Sequence, residues 1–306
     1  MNTPDWIAAD WGTTNLRVWG VSSEGAVVCA ASSAKGMSKL DSSEFELALL
    51  ELTGSWLAEK AGTLVVACGM VGARQGWVEV PYQQAPCAPL AKEIVYAPTR
   101  DARLRVAILA GVSQMTPHPD VMRGEETQIA GLLLERPGYE GVVCLPGTHT
   151  KWVRIHAGAI VRFQTFMTGE LFELLRVHSV LRHSIDSTSW DNDEFASAVG
   201  AAFARPESVA ARLFGIRAGS LLAVLESRAT NARLSGILIG AELAAAASDF
   251  WSGQEITIIG AARQAKIYAA ALRALDREST IVDGTHVTLA GLKSAYGKIL
   301  EHECDA

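Results

Sequence analysis

Two short polar knots, each wedged between apolar stretches, constrain this chain more than any other feature. The first is DWGTTNLRVW at residues 10–19, an aspartate that leaves an apolar run directly into a Gly-Thr-Thr turn. The second is LPGTHTKWVR at residues 145–154, which follows the apolar run GVVCL. Laid one on the other, they align Gly12 with Gly147, Thr13 with Thr148 and Val18 with Val153. Each knot also opens the same series of strand, GT-containing turn, strand, turn and strand. In the first copy the later strands are LRVWGV and AVVCAA around the turn SSEG; in the second they are KWVRI and AIVRFQ around HAG. Short apolar runs separated by turn residues predict a three-stranded meander. The same order met twice predicts a duplicated lobe.

The remaining pattern alternates strands and helices. A helical period covers about residues 43–60, LVVAC reads as a buried strand, GMVGARQG as a glycine-rich loop, RLRVAILAG as another strand and EETQIAGLLLE as a helix ending at RPGYEG. In the second half, helices are expected at GELFELLRVHSVLR with Thr168 as N-cap, EFASAVGAAFA, GSLLAVLESRA and LSGILIGAELAAAAS. The strand EITIIG breaks at Gly260 into the helix AARQAKIYAAALRAL, and STIVD and AGLKSAYGKIL close the pattern. The fold class is therefore α/β with two lobes. Residues 1–138 form the N-terminal lobe, with the C-terminal helix 290–306 a candidate addition to it, and residues 139–289 form the C-terminal lobe.

The chain has 306 residues, 49% of them hydrophobic, and a net charge of −6. That is core enough for more than one lobe. The mild negative charge argues against nucleic acid or an anionic membrane as partner, so any phosphate chemistry must rely on local donors. The opening MNTPDWIAAD lacks the basic and then apolar pattern of a signal peptide, and no apolar run reaches membrane-spanning length. A soluble, cytoplasmic protein is expected. Cys29, Cys68, Cys87, Cys144 and Cys304 are scattered and form no CxxC pair, so they read as small hydrophobes in a reducing compartment.

The knots carry the chemistry. Gly12 lets the backbone approach a ligand, the turn amides and the Thr13 and Thr14 hydroxyls can cradle phosphate oxygens, and Asp10 can hold Mg²⁺. A hairpin turn bonded to its own backbone is the plainer reading. The second knot tips the balance, because Gly147, Thr148, Thr150, His149 and the cation Lys151 would complete a phosphate clamp. His149 alone reads as a hydrogen-bonding residue, since no further ligands stand at zinc spacing. Glu125 and Glu126 open a helix, either as caps on its dipole or as the base for phosphoryl transfer. The stretch GMVGARQGWVEVPY offers Arg74 to a carboxylate, Trp77 to a sugar face and Glu79 to sugar hydroxyls, or else forms a surface hairpin with a half-buried tryptophan. No GxxxxGK[ST] occurs, which disfavours a P-loop mechanism.

These motifs together resemble the sugar kinase, Hsp70 and actin superfamily, in which two ribonuclease-H-like lobes close on ATP and Mg²⁺ in an interlobe cleft. Within it, DWGTTNLRVW, GMVGARQGWVEVPY, DVMRGEETQIAGLL, LPGTHTKWV, TFMTGELFELL, LSGILIGAEL and IIGAARQAKIYAAAL resemble the 2-dehydro-3-deoxygalactonokinase family across nearly the whole chain. The resemblance implies transfer of the ATP γ-phosphate to the terminal (6-) hydroxyl of 2-dehydro-3-deoxy-D-galactonate in galactonate breakdown. It matches Asp10, Gly12, Thr13 and Thr14, with Asn15 beside them, to the first phosphate motif. It matches Gly147, Thr148 and Thr150 to the second, and Gly260 with Ala261 to the adenosine turn. Asp10 would hold the metal, Lys151 would help neutralise developing charge, and Glu125 or Glu126 would be the base. Arg17 or Arg74 would meet the substrate carboxylate, with Gly69, Met70, Trp77, Glu79 and Tyr82 around the sugar acid. The expected partners are the sugar acid and ATP, and a homo-oligomer is left open. Two rivals stand beside this reading. One is an exopolyphosphatase or guanosine-pentaphosphate hydrolase, which shares the GEE carboxylates but needs a basic channel; the other is an actin-like nucleotide switch. A kinase for another sugar or sugar acid is a nearer variant.

Overall fold

The computed structural model describes residues 3–58, 62–186, 188–251 and 253–304. They divide into two compact units. The first runs to Tyr139 and also takes Ala157–Val161 and the chain from Gly284, while the second comprises Glu140–His156 and Arg162–Asp283. The C-terminal helix begins at Gly284, so a boundary drawn at residue 289 would cut it.

In the first unit β1 (Trp6–Trp11), β2 (Leu16–Val21) and β3 (Val27–Ser33) form the antiparallel meander, followed by α1 (Phe45–Thr53) and β4 (Thr63–Gly69). Then come β5 (Gln83–Gln84), β6 (Ile94–Tyr96), β7 (Leu104–Leu109), β8 (Val112–Gln114), β9 (Asp120–Met122) and α2 (Glu125–Glu135). The main sheet has the order β3-β2-β1-β4-β7-β6, with β1, β4 and β7 parallel, and β5-β8-β9 form a small second sheet. The second unit repeats the plan. Its strands are β10 (Gly141–Leu145), β11 (Thr150–His156), β12 (Ala159–Phe166), β13 (Glu255–Gly260) and β14 (Thr280–Asp283), in the order β12-β11-β10-β13-β14. Its helices are α3 (Thr168–His178), α4 (Asn192–Ala204), α5 (Val209–Leu221), α6 (Ser227–Phe250) and α7 (Ala262–Arg273), and α8 (Gly284–Cys304) returns to the first unit.

Side-chain parity along β1 decides where the chemistry lies. Ile7, Ala9 and Trp11 pack with Phe45, Leu49 and Val65 on one face, whereas Trp6 and Ala8 pack with Cys68, Ala130 and Leu292 on the other. Successive strand residues alternate faces, so Asp10 belongs to the second face, the one covered by α2 and α8. The central strand is covered on both sides and reads almost wholly apolar for that reason. Asp10 interrupts it at its carboxyl end, where open α/β sheets bind ligands.

Three helix expectations change. The period over residues 43–60 gives a helix only at Phe45–Thr53; Glu59 and Lys60 lie outside the described residues. GSLLAVLESRA is not one helix. The amides of Val224 and Leu225 turn back onto the Gly219 carbonyl at 3.0 and 3.1 Å, with Ala223 left-handed at φ 57°, so α5 stops at Leu221. A new helix starts at Ser227 and runs through LSGILIGAEL to Phe250. Thr168 is the first residue of α3 rather than its N-cap, a position that Met167 holds.

Candidate active site

In the first unit the loop between β1 and β2 is shaped from below by residues 36–38. The amides of Gly36, Met37 and Ser38 donate to the carbonyls of Thr14, Gly12 and Thr13 at 3.0–3.1 Å, and the Ser38 hydroxyl adds a bond to Thr13 at 2.8 Å. With those carbonyls held inward, Thr13, Thr14 and Asn15 stand exposed. Among the described residues the Thr13 and Thr14 amides have no partner, which leaves donors facing out at a turn, the arrangement that takes an anion. The Asn15 side-chain Nδ2 donates to the Thr14 hydroxyl at 3.0 Å.

Asp10 is not alone at its strand end. The β1–β2 register sets it directly opposite Arg17, whose Nε donates to Asp10 Oδ2 at 3.1 Å and whose Nη2 also bonds that oxygen. Arg17 Nη1 reaches Thr285 Oγ1 at 2.7 Å, at the start of α8. The parallel register with β4 places Cys68 on the other side, its Sγ 3.9 Å from Asp10 Oδ1. Burial, then the charges of Asp10 and Glu126, push the Cys68 thiol well up, so it stays a neutral filler. Arg17 is thus engaged by Asp10, which counts against the expectation that it meets a substrate carboxylate. Opposite charges on one face of a directly opposed strand pair find each other first.

Gly69 closes the gap between the first knot and the glycine-rich loop. It sits at φ 88°, and a Cβ there would come within 2.5 Å of the Trp11 carbonyl. Gly124 in turn lies against Gly69, its would-be Cβ 3.3 Å from the Gly69 Cα. Three loops therefore meet at the carboxyl ends of β1 and β4: the first knot, Gly69 with Met70, and the RGEE turn.

Within that turn the two glutamates separate. Glu126 is fully buried, accepting from the Gly124 amide at 2.6 Å and from the Thr127 hydroxyl at 2.9 Å. Burial, followed by the neighbouring Glu125 charge, raises its carboxyl to about 7. Glu125 is half-buried and accepts from the Arg123 amide at 3.0 Å. Trp77 corrects the sequence reading. It is 8% exposed and lies in the core, edge-on to Trp11 and stacked on Phe45, each at 6.4 Å, so its ring is not open to a sugar. The hairpin is in fact a folded knot, pinned by Trp77 N–H to Val71 and Val80 N–H to Gly72. Arg74, Glu79 and Tyr82 are exposed.

In the second unit Gly147, Thr148 and His149 are exposed and rest on the first turn of α3. The Glu170 amide donates to the Thr148 carbonyl at 2.9 Å, and the Glu170 carboxylate meets His149 Nε2 at 2.5 Å. Thr150 is a second correction. Its hydroxyl is buried and shared with the Tyr268 hydroxyl at 2.8 Å, so it serves the core instead of a phosphate. As the first residue of β11 it shares a face with the buried Trp152 and turns inward. Tyr268 donates onward to Glu242 at 2.8 Å, and Trp152 Nε1 bonds the same carboxylate at 2.8 Å. Burial raises the Glu242 carboxyl to about 7. Lys151 is also buried, its ammonium donating to the His149 carbonyl at 3.1 Å.

Beside this loop lies a cavity of about 690 Å³, walled by Thr148, Gly169, Asn231, Ser235, Arg263 and Tyr268 among others. Gly260 and Ala261 are not part of its wall; the first turns of α7 are. Asn231 is 4% exposed, and among the described residues its side-chain oxygen has no hydrogen-bond partner. Sequence reasoning missed Asn231, Glu242 and Gly169. Only Glu242 left a signal, as a lone carboxylate in the apolar stretch LSGILIGAELAAAAS.

For a hard cation the first unit offers oxygen donors, namely the Asp10 carboxylate beside the Thr13 and Thr14 hydroxyls. Among the described residues no group of three or more His, Cys, Asp or Glu side chains could hold a metal. An Mg²⁺ here would therefore be held by one carboxylate with phosphate oxygens and water, which is how this ion is commonly bound.

Comparison with known proteins follows the same lines. A family model for 2-keto-3-deoxy-galactonokinase matches residues 10–295. An Escherichia coli (strain K12) 2-dehydro-3-deoxygalactonokinase is 32% identical over 296 residues, covering 95% of this chain and 97% of the relative. A relative from Rhizobium meliloti (strain 1021), which carries the same name as a probable assignment, is 36% identical over 302 residues, covering 96% and 98%. A crystal structure of a Sinorhizobium meliloti protein described as such a kinase superposes with a TM-score of 0.89 at 34% identity, over 96% of this chain and 99% of that one. The activator of a 2-hydroxyisocaproyl-CoA dehydratase from Clostridium difficile, solved with bound ADPNP, shares the fold alone, at a TM-score of 0.51 and 12% identity over 98% and 97% of the chains. Among the described residues no helix is long and apolar enough to cross a membrane.

Proposed function

The chain belongs to the 2-keto-3-deoxy-galactonokinase family, and from that premise we propose that it transfers the γ-phosphate of ATP to the terminal hydroxyl of 2-dehydro-3-deoxy-D-galactonate. The observation that carries the reading is the pair of outward-facing GT turns, each at the carboxyl end of the first strand of a like-built sheet. Each unit is assigned its own part in this chemistry. The first holds the γ-phosphate end and the sugar acid; the second, through Gly147, Thr148 and its cavity, holds the nucleoside, with the unmet Asn231 oxygen available to an exocyclic amine.

Phosphoryl transfer asks little covalent chemistry of a protein, so the residues act by positioning and by charge. Asp10 would hold Mg²⁺, which supplies charge neutralisation across the phosphates. Arg17 keeps that carboxylate oriented. Glu125, the half-exposed member of the pair, lines up the attacking hydroxyl, while Glu126 is spent on the Gly124 amide and braces the turn. The reaction belongs in the cytoplasm, where ATP is supplied. A polyphosphate hydrolase is disfavoured by the family match and by the absence of a basic stripe in the sequence.

The test is a coupled ADP-release assay over a panel of 2-keto-3-deoxy sugar acids, neutral hexoses and water alone. Turnover that requires the sugar acid is expected. Preference for a neutral hexose, or phosphate release with no acceptor, would overturn the reading.

A further inference from the structure

Among the described residues, the first unit contains a buried cation without an anion. Arg123 is 7% exposed, and among the described residues only one of its guanidinium nitrogens finds a partner, Nη2 donating to the Val80 carbonyl at 2.6 Å. Nε and Nη1 are buried and unpartnered. Its Cζ lies 4.2 Å from the centre of the Tyr82 ring, and among the described residues no carboxylate pairs with it. A guanidinium kept out of water with most of its donors unmet is costly unless some state of the protein gives it a partner. Its donors are of the planar kind that suits a carboxylate.

Its surroundings say which state. Arg123 immediately precedes Gly124, which rests on Gly69, and Nη1 lies over Gly72, where a Cβ would come within 2.8 Å of it. The guanidinium therefore sits among the glycine-rich loop, the Val80–Tyr82 segment and the RGEE turn, one end of a site whose other end is Asp10 and Glu125. The two arginines expected from sequence are poorer candidates. Arg17 is taken by Asp10, and Arg74 is exposed, where a pairing is weakened by water.

We propose that Arg123 binds the carboxylate of the sugar-acid substrate, with Tyr82 as the exposed cover that yields to admit it. This rests on the kinase reading above and names the residue that makes the enzyme select acids over neutral sugars. A neutral acceptor would leave the buried charge unpaired, so the discrimination is carried by what the wrong substrate fails to satisfy.

The experiment uses the full chain and two acceptors, 2-dehydro-3-deoxygalactonate and its methyl ester. Wild-type enzyme is expected to prefer the acid. Arg123→Gln should raise KM for the acid by about 30-fold or more, as truncating one member of a buried charge pair does. It should bring the acid-to-ester ratio near unity and leave KM for ATP within about twofold. A role confined to bracing the loops would lower turnover of acid and ester alike and keep their ratio, and that result would overturn the proposal. If Arg123→Gln does not fold, Arg123→Met carries the same readout, since it removes the charge and keeps an apolar stem in the buried space. No wild-type turnover of any sugar acid would sink the kinase reading itself; wild-type turnover with an unchanged ratio in the variant would sink only this assignment.

Discussion

Asp10 and Arg17 face each other across β1 and β2, joined through Nε at 3.1 Å and a second contact from Nη2 to the same carboxylate oxygen. The pairing makes Arg17 a positioning residue for Asp10. With Asp10 as the proposed Mg²⁺ carboxylate, Arg17→Ala should lower kcat by about 10–100-fold and raise the Mg²⁺ concentration needed for half-maximal rate, as losses behind a metal ligand do. KM for the sugar acid should move little. Steady-state kinetics across an Mg²⁺ titration decides the matter, because a tenfold or greater rise in KM for the acid at unchanged kcat would return Arg17 to the substrate.

Trp77 separates the two readings of the glycine-rich loop. Packed against Trp11 and Phe45, it belongs to the core of the first unit. Trp77→Ala should destabilise the protein by about 3–5 kcal/mol, the usual cost of emptying a large aromatic site. Trp77→Phe should restore much of that and leave KM for the sugar acid unchanged. Thermal unfolding paired with kinetics would expose a sugar-stacking role if Trp77→Phe kept its stability and lost substrate binding.

What could be read from the sequence followed period and punctuation. The meander, the strand GVVCL and the helix EETQIAGLLLE stand where their patterns put them, because apolar runs bounded by turn residues encode local structure directly. The break inside GSLLAVLESRA was not legible, since it depends on the Gly219 carbonyl capturing two later amides through a left-handed alanine, and alanine does not announce such a turn. The two GT loops were found because both carry glycine with hydroxyls. Thr150 was misread because its motif does not tell which face of β11 it occupies, and Arg123 was passed over because its burial is a tertiary fact. Glu125 and Glu126 look alike in sequence, and only the fold of the RGEE turn sends one inward.

The buried carboxylate of Glu242 predicts a pH dependence of stability. Its carboxyl is raised to about 7 in the fold, above the ordinary value of 4.5, chiefly by burial. The folded state therefore binds more protons than the unfolded state between those values, and stability falls as pH rises through that window. Glu126, raised in the same way, contributes in the same direction. Glu242→Gln keeps a side-chain oxygen for Trp152 and removes the ionisation. The variant should gain Tm relative to wild type between pH 5 and pH 8, and a difference that stays flat across that range would show that Glu242 does not titrate there.

Gly169 tests how tightly the second loop is seated. Adding a Cβ there would bring it onto the Gly147 carbonyl and to 2.9 Å from the Thr148 Cα, so the PGTHT loop and α3 would have to part. Helix propensity argues the other way, since alanine is favoured over glycine within a helix by about 1 kcal/mol. Backbone cannot yield as a side chain can, and overpacking of this kind costs about 1–3 kcal/mol. Gly169→Ala should thus lower stability and weaken ADP binding. Gly200 lies inside α4 with nothing within 4 Å of its would-be Cβ, which makes it the matched control. Gly200→Ala should raise stability by about 0.5–1 kcal/mol and leave ADP binding unchanged. Calorimetric titration with ADP on both variants distinguishes loop displacement from a general glycine effect, and equal behaviour of the two would mean that the loop does not depend on its seat against α3.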